Sequence, residues 1–572
     1  MEEDKYRPPR IHQHHGTTSP TTSAPTVNPK FKELLQLIEW PAPPSTEKHF
    51  KFSTSPRKSE YHLWNPRDTY RVGETVQVVI TARDHNGHLK GYGGDFFRVK
   101  LHNPALKAGV AGQVKDYNNG SYLATFLLPW PGEAQIHITL VHSSEAVDIL
   151  KTKRENYPEK LYFNGYFNFN GSSEVVECNL EIKGKDVCKY QDPISGNTWQ
   201  CVRPKNLPCH SWTHHSIGGL RKVTNALEDS LLSGPCTAGM ESKRKNQQKK
   251  PFSLRRMLVE GRTKQSEREV IQGSVPPIKV MADNSSLGEL PSPCHVPGFT
   301  LSFPFQQSLS PCHSFPETAS PVTGLTSNLP PCRPGLESPR PTGFYYMNTW
   351  ISLTCSVIHF SLPAQALACL KGKDIHMFGD STLRQWFEYL EKFIPSLKRI
   401  DLHVTYLPGP LLAVEPNAGL ALRYRAHGLP LKTGKTMVAD LHYEAASLAG
   451  IGGGPQTIIV ITLWAHFTTY PVMVYLERLE RVRQAVESLL FRSPQTTVIV
   501  KSANTGSRTV DISDWLSLQL DILLRAVFKG MAVSIIDVWD MTSCHYLPND
   551  IHPGQEVIKN EVDLLLSYIC SQ

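Results

Sequence analysis

Asp374-Ile375-His376-Met377-Phe378-Gly379-Asp380-Ser381-Thr382-Leu383-Arg384-Gln385-Trp386 is the stretch that decides the fold. An apolar strand breaks at Gly-Asp-Ser and passes directly into a helix, which leaves one serine hydroxyl at a strand end and a helix start. A second stretch, Asn549-Asp550-Ile551-His552-Pro553, supplies a histidine that can meet Ser381 only through folding. Serine alone is a poor nucleophile. With an imidazole to take its proton and helix N–H groups facing the developing oxyanion, it attacks an ester. Acyl transfer is therefore the leading expectation, and it calls for no cofactor and no metal.

Outward from that stretch the pattern alternates strand and helix. Leu383, Trp386, Phe387 and Leu390 repeat with helical period. A strand near Ile400–Leu407 and the apolar run Thr457–Leu463 follow, then a helix over Pro471–Leu490 and a strand over Thr497–Lys501. A helix near Asp514–Phe528, a strand over Val533–Asp537 and a helix after Pro553 complete the series. Buried strands separated by amphipathic helices predict an α/β domain with a parallel sheet, whose ligands sit at the C-terminal strand ends. Ser381, His466 and His552 each fall at or beyond such an end.

The rest of the chain divides by composition. Residues 1–57 are expected to be disordered, and 58–215 to form an all-β sandwich with a cysteine-rich extension. Its strands include Thr75–Ile80, Tyr122–Leu127 and Gln135–Leu140, with a hairpin turn at Asn86-Gly87. Residues 222–340 read as a Pro/Ser-rich linker and 343–572 as the α/β domain. The formal charge of +8 owes much to the run Lys243–Arg256, which reads as a solvated segment, so nucleic acid is not an expected partner.

Twelve cysteines, four of them at Cys178, Cys188, Cys201 and Cys209, read most simply as disulfides and hence an oxidising compartment. Asn119, Asn170 and Asn284 head glycosylation triplets. The polar N-terminus has no signal-peptide core and no later segment is long enough to span a bilayer. The cysteines favour a sequence that begins downstream of its targeting segment.

Each motif has a plainer reading beside the chemical one. Gly-Asp-Ser is also an ordinary helix cap, and His466 an ordinary core histidine. Cys201, Cys209, His210, His214 and His215 invite a zinc site, against which the Cys-x7-Cys spacing is too loose for a finger.

The string Gly379–Trp386, with Tyr345–Trp350 before Cys355 and Asp537–Thr542 before His552-Pro553, resembles the PC-esterase domain, a relative of SGNH/GDSL hydrolases. Asn65–Tyr70, Tyr92–Phe96 and Cys201–Pro204 resemble the neurexophilin domain. Together they resemble the neurexophilin and PC-esterase domain family, over roughly 58–215 and 343–570; the loop Leu463–Phe467 and the ending His545–Pro548 look closest to its third member.

The resemblance implies an α/β SGNH-like domain preceded by an Ig-like, neurexophilin-like sandwich, with its cysteines in disulfides, and a secreted or Golgi-lumenal location. It implies Ser381 as nucleophile and His552 as base. Oxyanion donors would be the Ser381 backbone, Gly428, and His466 where the wider superfamily has asparagine. It also exposes a departure: the position three before the histidine, aspartate in those hydrolases, is Asn549 here. Asp550 is the substitute acid, with Asp537 and Asp540 as other candidates.

Two functions follow. One is an esterase or O-acetyltransferase acting on a glycan or glycoprotein, with an acetyl donor if it is a transferase. The other is a catalytically silent secreted protein whose neurexophilin-like domain binds a cell-surface receptor. A cytosolic protein is the third, bland reading.

Overall fold

The computed structural model describes residues 29–44, 49–233, 270–271, 273, 275–281, 323–404 and 407–571. The expected disorder of 1–28, the basic run, Asn284 and the middle of the expected linker lie outside the described residues.

In the C-terminal unit five strands run parallel: β1 (Asp374–Gly379), β2 (Leu420–Ala426), β3 (Thr457–Ile461), β4 (Thr497–Lys501) and β5 (Ser534–Ile536). Their spatial order is β2-β1-β3-β4-β5. The order reverses between β1 and β3, the switch point where doubly wound sheets open a crevice beyond their strand ends. β3 shows why the central strand is apolar along nearly its whole length. Ile458 and Val460 enter one core, with Trp386 and Ile558, while Ile459 and Ile461 enter a second, with Tyr475 and Leu520. A strand buried on both faces has no room for polar alternation.

Helices α1 (Ser381–Phe393), α2 (Glu444–Ala449), α3 (Val472–Arg492), α4 (Asp514–Phe528), α5 (Val538–Cys544) and α6 (Gln555–Cys570) accompany the sheet. Side chains of α1 and α6 fill the first core and those of α3 and α4 the second.

The sheet is not wholly parallel, which corrects the expectation. Lys398–Ile400 and Leu411–Glu415 add an antiparallel hairpin edge, the latter pairing with β2. Only Pro416–Gly419 separate Leu411–Glu415 from β2, far too few for the crossover that parallel pairing requires. Gly419 takes the positive φ (+66°) that this turn needs. The expected strand over 400–407 is thus a short strand that stops at Ile400.

The N-terminal half holds a four-stranded sheet and a seven-stranded sheet, whose inward residues share a core that includes Val78, Ile80, Phe126 and Trp130. The seven-stranded sheet recruits distant chain. Gly343–Tyr346 pairs with Ala108–Ala111, and Ile278–Met281 pairs with Gly132–His142. The segment expected to open the α/β domain at 343 therefore begins with a strand of the sandwich sheet, and the expected linker contributes another.

A third sheet of six strands is built from the cysteine-rich region and closes on Thr436–Met437 of the C-terminal half. Polar contacts tie the halves together. Lys100 Nζ donates to the His545 carbonyl at 2.6 Å, Lys160 Nζ to the Thr469 carbonyl at 2.6 Å, and Arg98 pairs with Asp514.

Residues 29–38 are also ordered, against expectation. A helix over Pro29–Gln36 sets Phe31 and Leu34, followed by Ile38, into the second core. Gln519 Nε2 donates to the Ile38 carbonyl at 3.1 Å. Burial of three large apolar side chains, each worth about 1.5–3 kcal/mol, holds a segment that looks polar when averaged over its length.

Disulfides join Cys178–Cys201, Cys188–Cys209, Cys332–Cys355 and Cys369–Cys570, and Cys544 is a buried thiol. Among the described residues no helix is long and apolar enough to cross a membrane.

Candidate active site

β1 ends at Gly379, which must be small: a Cβ there would lie 2.5 Å from Thr462 Cγ2 and 2.8 Å from the Thr462 carbonyl oxygen. The next residue, Asp380, caps α1. Its Oδ1 accepts the Thr382 N–H at 2.9 Å and the Thr382 hydroxyl at 2.7 Å, and its Oδ2 accepts the Ala465 N–H at 3.3 Å. The cap expected of Ser381 is thus supplied by Asp380. Ser381 becomes the first helical residue, its side chain released from capping and its N–H among the unpaired donors of a helix start.

The Ser381 hydroxyl lies 2.7 Å from His552 Nε2. The loop carrying His552 is fixed from two sides. Asn504 Nδ2 donates to the Ile551 carbonyl at 2.9 Å, and Gln385 Nε2 to the Pro553 carbonyl at 3.3 Å. Gly506 lets it pack closely, since a Cβ there would stand 2.4 Å from the Asp550 carbonyl carbon. Desolvation of the ring's protein-facing side lowers the His552 pKa below its ordinary value; the charges of Asp380 and then Asp550 oppose that, while Arg384 and Lys501 add to it. The ring is neutral at pH 7, the state a general base requires.

The four acid-position residues have separate roles. Asn549 donates through Nδ2 to Thr505 Oγ1 at 3.0 Å and to the Thr542 carbonyl. Asp550 Oδ1 accepts the His552 main-chain N–H at 3.1 Å. Asp537 and Asp540 are committed elsewhere. Asp537 pairs with Arg340 at 2.9 Å and Arg525 at 3.0 Å, and Asp540 accepts the Thr342 N–H at 2.9 Å.

Gly428 follows β2, the strand beside β1. The adjoining His427 N–H donates to the Gly379 carbonyl at 3.1 Å, which ties this loop to the strand end bearing Ser381. Tyr443 packs against Gly428, where a Cβ would meet its Cδ1 at 2.4 Å. His466 follows β3 on the other side of β1, its ring centroid 4.7 Å from that of His427. Burial, with His427, Lys432, His552 and Arg384 nearby, pushes the His466 pKa well below its ordinary value. His466 is therefore a neutral imidazole with one N–H to donate, and its buried Nδ1 has no hydrogen-bond partner among the described residues.

Two polar groups behind the site carry no motif. Lys501, buried at the end of β4, donates to Asn504 Oδ1 at 2.6 Å and to Thr382 Oγ1 at 3.2 Å. Glu561 Oε2 accepts the Trp386 indole N–H at 2.6 Å. The one available signal was a charged residue closing an otherwise apolar strand, Thr497-Val498-Ile499-Val500-Lys501. The zinc alternative meets a direct obstacle, because Cys201 and Cys209 are each in a disulfide, and His215 Nε2 donates to the Leu431 carbonyl at 2.9 Å.

A family model described as "NXPE family member 4-like, C-terminal domain" matches residues 350–570, and one described as "Neurexophilin" matches residues 32–232. The chain belongs to the NXPE family.

The neurexophilin match begins at 32, inside the docked helix that composition alone assigned to a disordered tail. The C-terminal match begins at 350, inside the Thr349–Ser352 strand that completes the sandwich sheet. The two halves of this NXPE protein are thus interleaved in structure. The four disulfides among its described residues and its neurexophilin domain fit a secreted or lumenal protein.

Proposed function

We propose that this NXPE-family protein is a secretory-pathway or extracellular serine acyl-ester enzyme, an esterase or O-acetyltransferase, built on an SGNH-like domain and acting on a glycan or glycoprotein. The 2.7 Å contact between Ser381 Oγ and His552 Nε2 carries the reading. In the first half-reaction His552 Nε2 takes the hydroxyl proton while Oγ bonds to the ester carbonyl carbon. The resulting oxyanion faces the N–H groups of Ser381, Gly428 and His466. Collapse expels the alcohol, which takes the proton from His552, and leaves acyl-Ser381. Water or a sugar hydroxyl, deprotonated by the same imidazole, completes the cycle. Exposure of Asn119 and Asn170 in turns is consistent with a glycosylated protein.

The experiment is covalent labelling of the purified full chain by a fluorophosphonate. Labelling of the wild type, abolished in Ser381→Ala with unfolding free energy changed by no more than about 0.5 kcal/mol, is the expected result. Equal labelling of both removes the nucleophile assignment.

A second reading has an observation of its own: Asn549, at the position of the usual acid, bonds to Thr505 and Thr542 rather than offering a carboxylate. Loss of that acid in other hydrolases lowers turnover about ten-thousand-fold. On this reading the α/β domain is silent and the neurexophilin domain binds a cell-surface receptor. A wild type that resists labelling altogether selects it.

A further inference from the structure

On β1 and β2 the side chains alternate between the sheet's two faces. Ile375, Met377 and Leu422 enter the α1/α6 core, which leaves His376, Phe378, Arg423 and Arg425 toward the other face. There the covering helix is the short α2, and the residues it and its C-terminal end set against the sheet, Ala446, Ser447 and Gly450, are too small to fill the gap. A cavity of about 570 Å³ remains, within the size range of sites that enclose a small molecule. Ser381 begins a helix on the opposite face, so this cavity is separate from the candidate active site.

The lining combines apolar surface with one cation that is unmatched among the described residues. Ile194, from the hairpin between Val187–Gln191 and Thr198–Val202, is 64% exposed, and Leu402 is 39% exposed; both line the cavity and have unfilled apolar surface. Arg423 is neutralised by Asp374 at 2.8 Å, and the same carboxylate holds His376 Nε2 at 3.1 Å. His442 Nε2 donates to the Ala439 carbonyl at 3.1 Å. The Asp192 carboxylate, also in the lining, accepts the Ser195 N–H at 2.6 Å. Arg425 alone makes no ion pair or hydrogen bond with its side chain among the described residues; Asp440 attracts it only through space. A partly desolvated guanidinium is costly until an anion meets it, and its fork matches a carboxylate.

We propose that this cavity is a binding site for an amphipathic carboxylate, whose aliphatic body lies against Ile194, Phe378 and Leu402 and whose carboxylate pairs with Arg425. It is a second site, independent of the acyl chemistry at Ser381.

Calorimetric titration of the full chain with decanoate, below its micellar concentration, tests the assignment. Saturable one-to-one binding is expected, with decanol weaker by about tenfold or more, since it lacks the charge-assisted pair. Arg425→Gln is expected to lose about tenfold or more, and Ala446→Trp, which fills the cavity, to abolish binding while the protein stays folded by circular dichroism. Ser381→Ala should bind as the wild type does. No saturable binding by the wild type, equal binding by Arg425→Gln, or loss in Ser381→Ala overturns the proposal. Decyl phosphate binding tenfold more tightly than decanoate overturns the carboxylate assignment.

Discussion

On the proposed reading, replacing Asn549 with aspartate puts a carboxylate at the position where the hydrolases this sequence resembles carry their triad acid, and pattern alone expects it to raise activity. The geometry expects the reverse. Asn549 spends its Nδ2 donors on Thr505 Oγ1 and the Thr542 carbonyl. The Thr505 hydroxyl can rotate to donate to a carboxylate, but the Thr542 carbonyl cannot. One hydrogen bond, worth about 1 kcal/mol, is lost, and a carbonyl is left facing a carboxylate oxygen at a further cost of about 1–3 kcal/mol. Partial solvent access puts the total near the lower end, about 2 kcal/mol. Urea unfolding of Asn549→Asp at pH 7.5 should show this loss, with the fluorophosphonate labelling rate no higher than wild type. At pH 4 the deficit should shrink, because the protonated acid regains a donor. An Asn549→Asp protein of unchanged stability that labels about a hundredfold faster would refute the reasoning and place this side chain against His552.

Further expectations concern charge. Labelling should rise with pH through a midpoint below 6.5, the ordinary histidine value, because burial lowers the His552 pKa and only the neutral ring is a base. In Asp380→Asn that midpoint should move lower still, since Asp380 is the first of the charges that hold the pKa up; an unchanged midpoint contradicts the coupling. Asp380→Ala removes the α1 cap and should lower stability by about 2 kcal/mol and slow labelling, read by thermal unfolding and label uptake. Buried His215, with its pKa pushed down to about 4, contributes stability that is present above pH 6.5 and lost as pH falls toward 4. That loss is about 3 kcal/mol at full extent, and unfolding of His215→Gln across this range should be correspondingly flatter.

Much of the α/β unit was legible because its signals are local. Ile458-Ile459-Val460-Ile461 is apolar at every position, which only a strand covered on both faces permits, and the period of Leu383, Trp386, Phe387 and Leu390 is visible without a partner. Gly379-Asp380-Ser381 and Asn549–His552 each read as a loop with chemistry in it. Other features left no local trace. The helix over Pro29–Gln36 is polar on average and gains order only from the groove it enters. Gly343–Tyr346 could be read as a strand or a loop until Ala108–Ala111 offered its edge.

Residue order alone therefore determined most strands and helices of the α/β unit, and which serine and histidine stand in its loops. Tertiary structure decided the 2.7 Å approach of Ser381 to His552, the assignment of the cap to Asp380, and the turn of Asn549 toward Thr505 and Thr542. The reason is physical. Backbone preference and hydrophobic period act between near neighbours, whereas the partner of a polar group is set by whichever distant chain the packed sheet brings within hydrogen-bond reach.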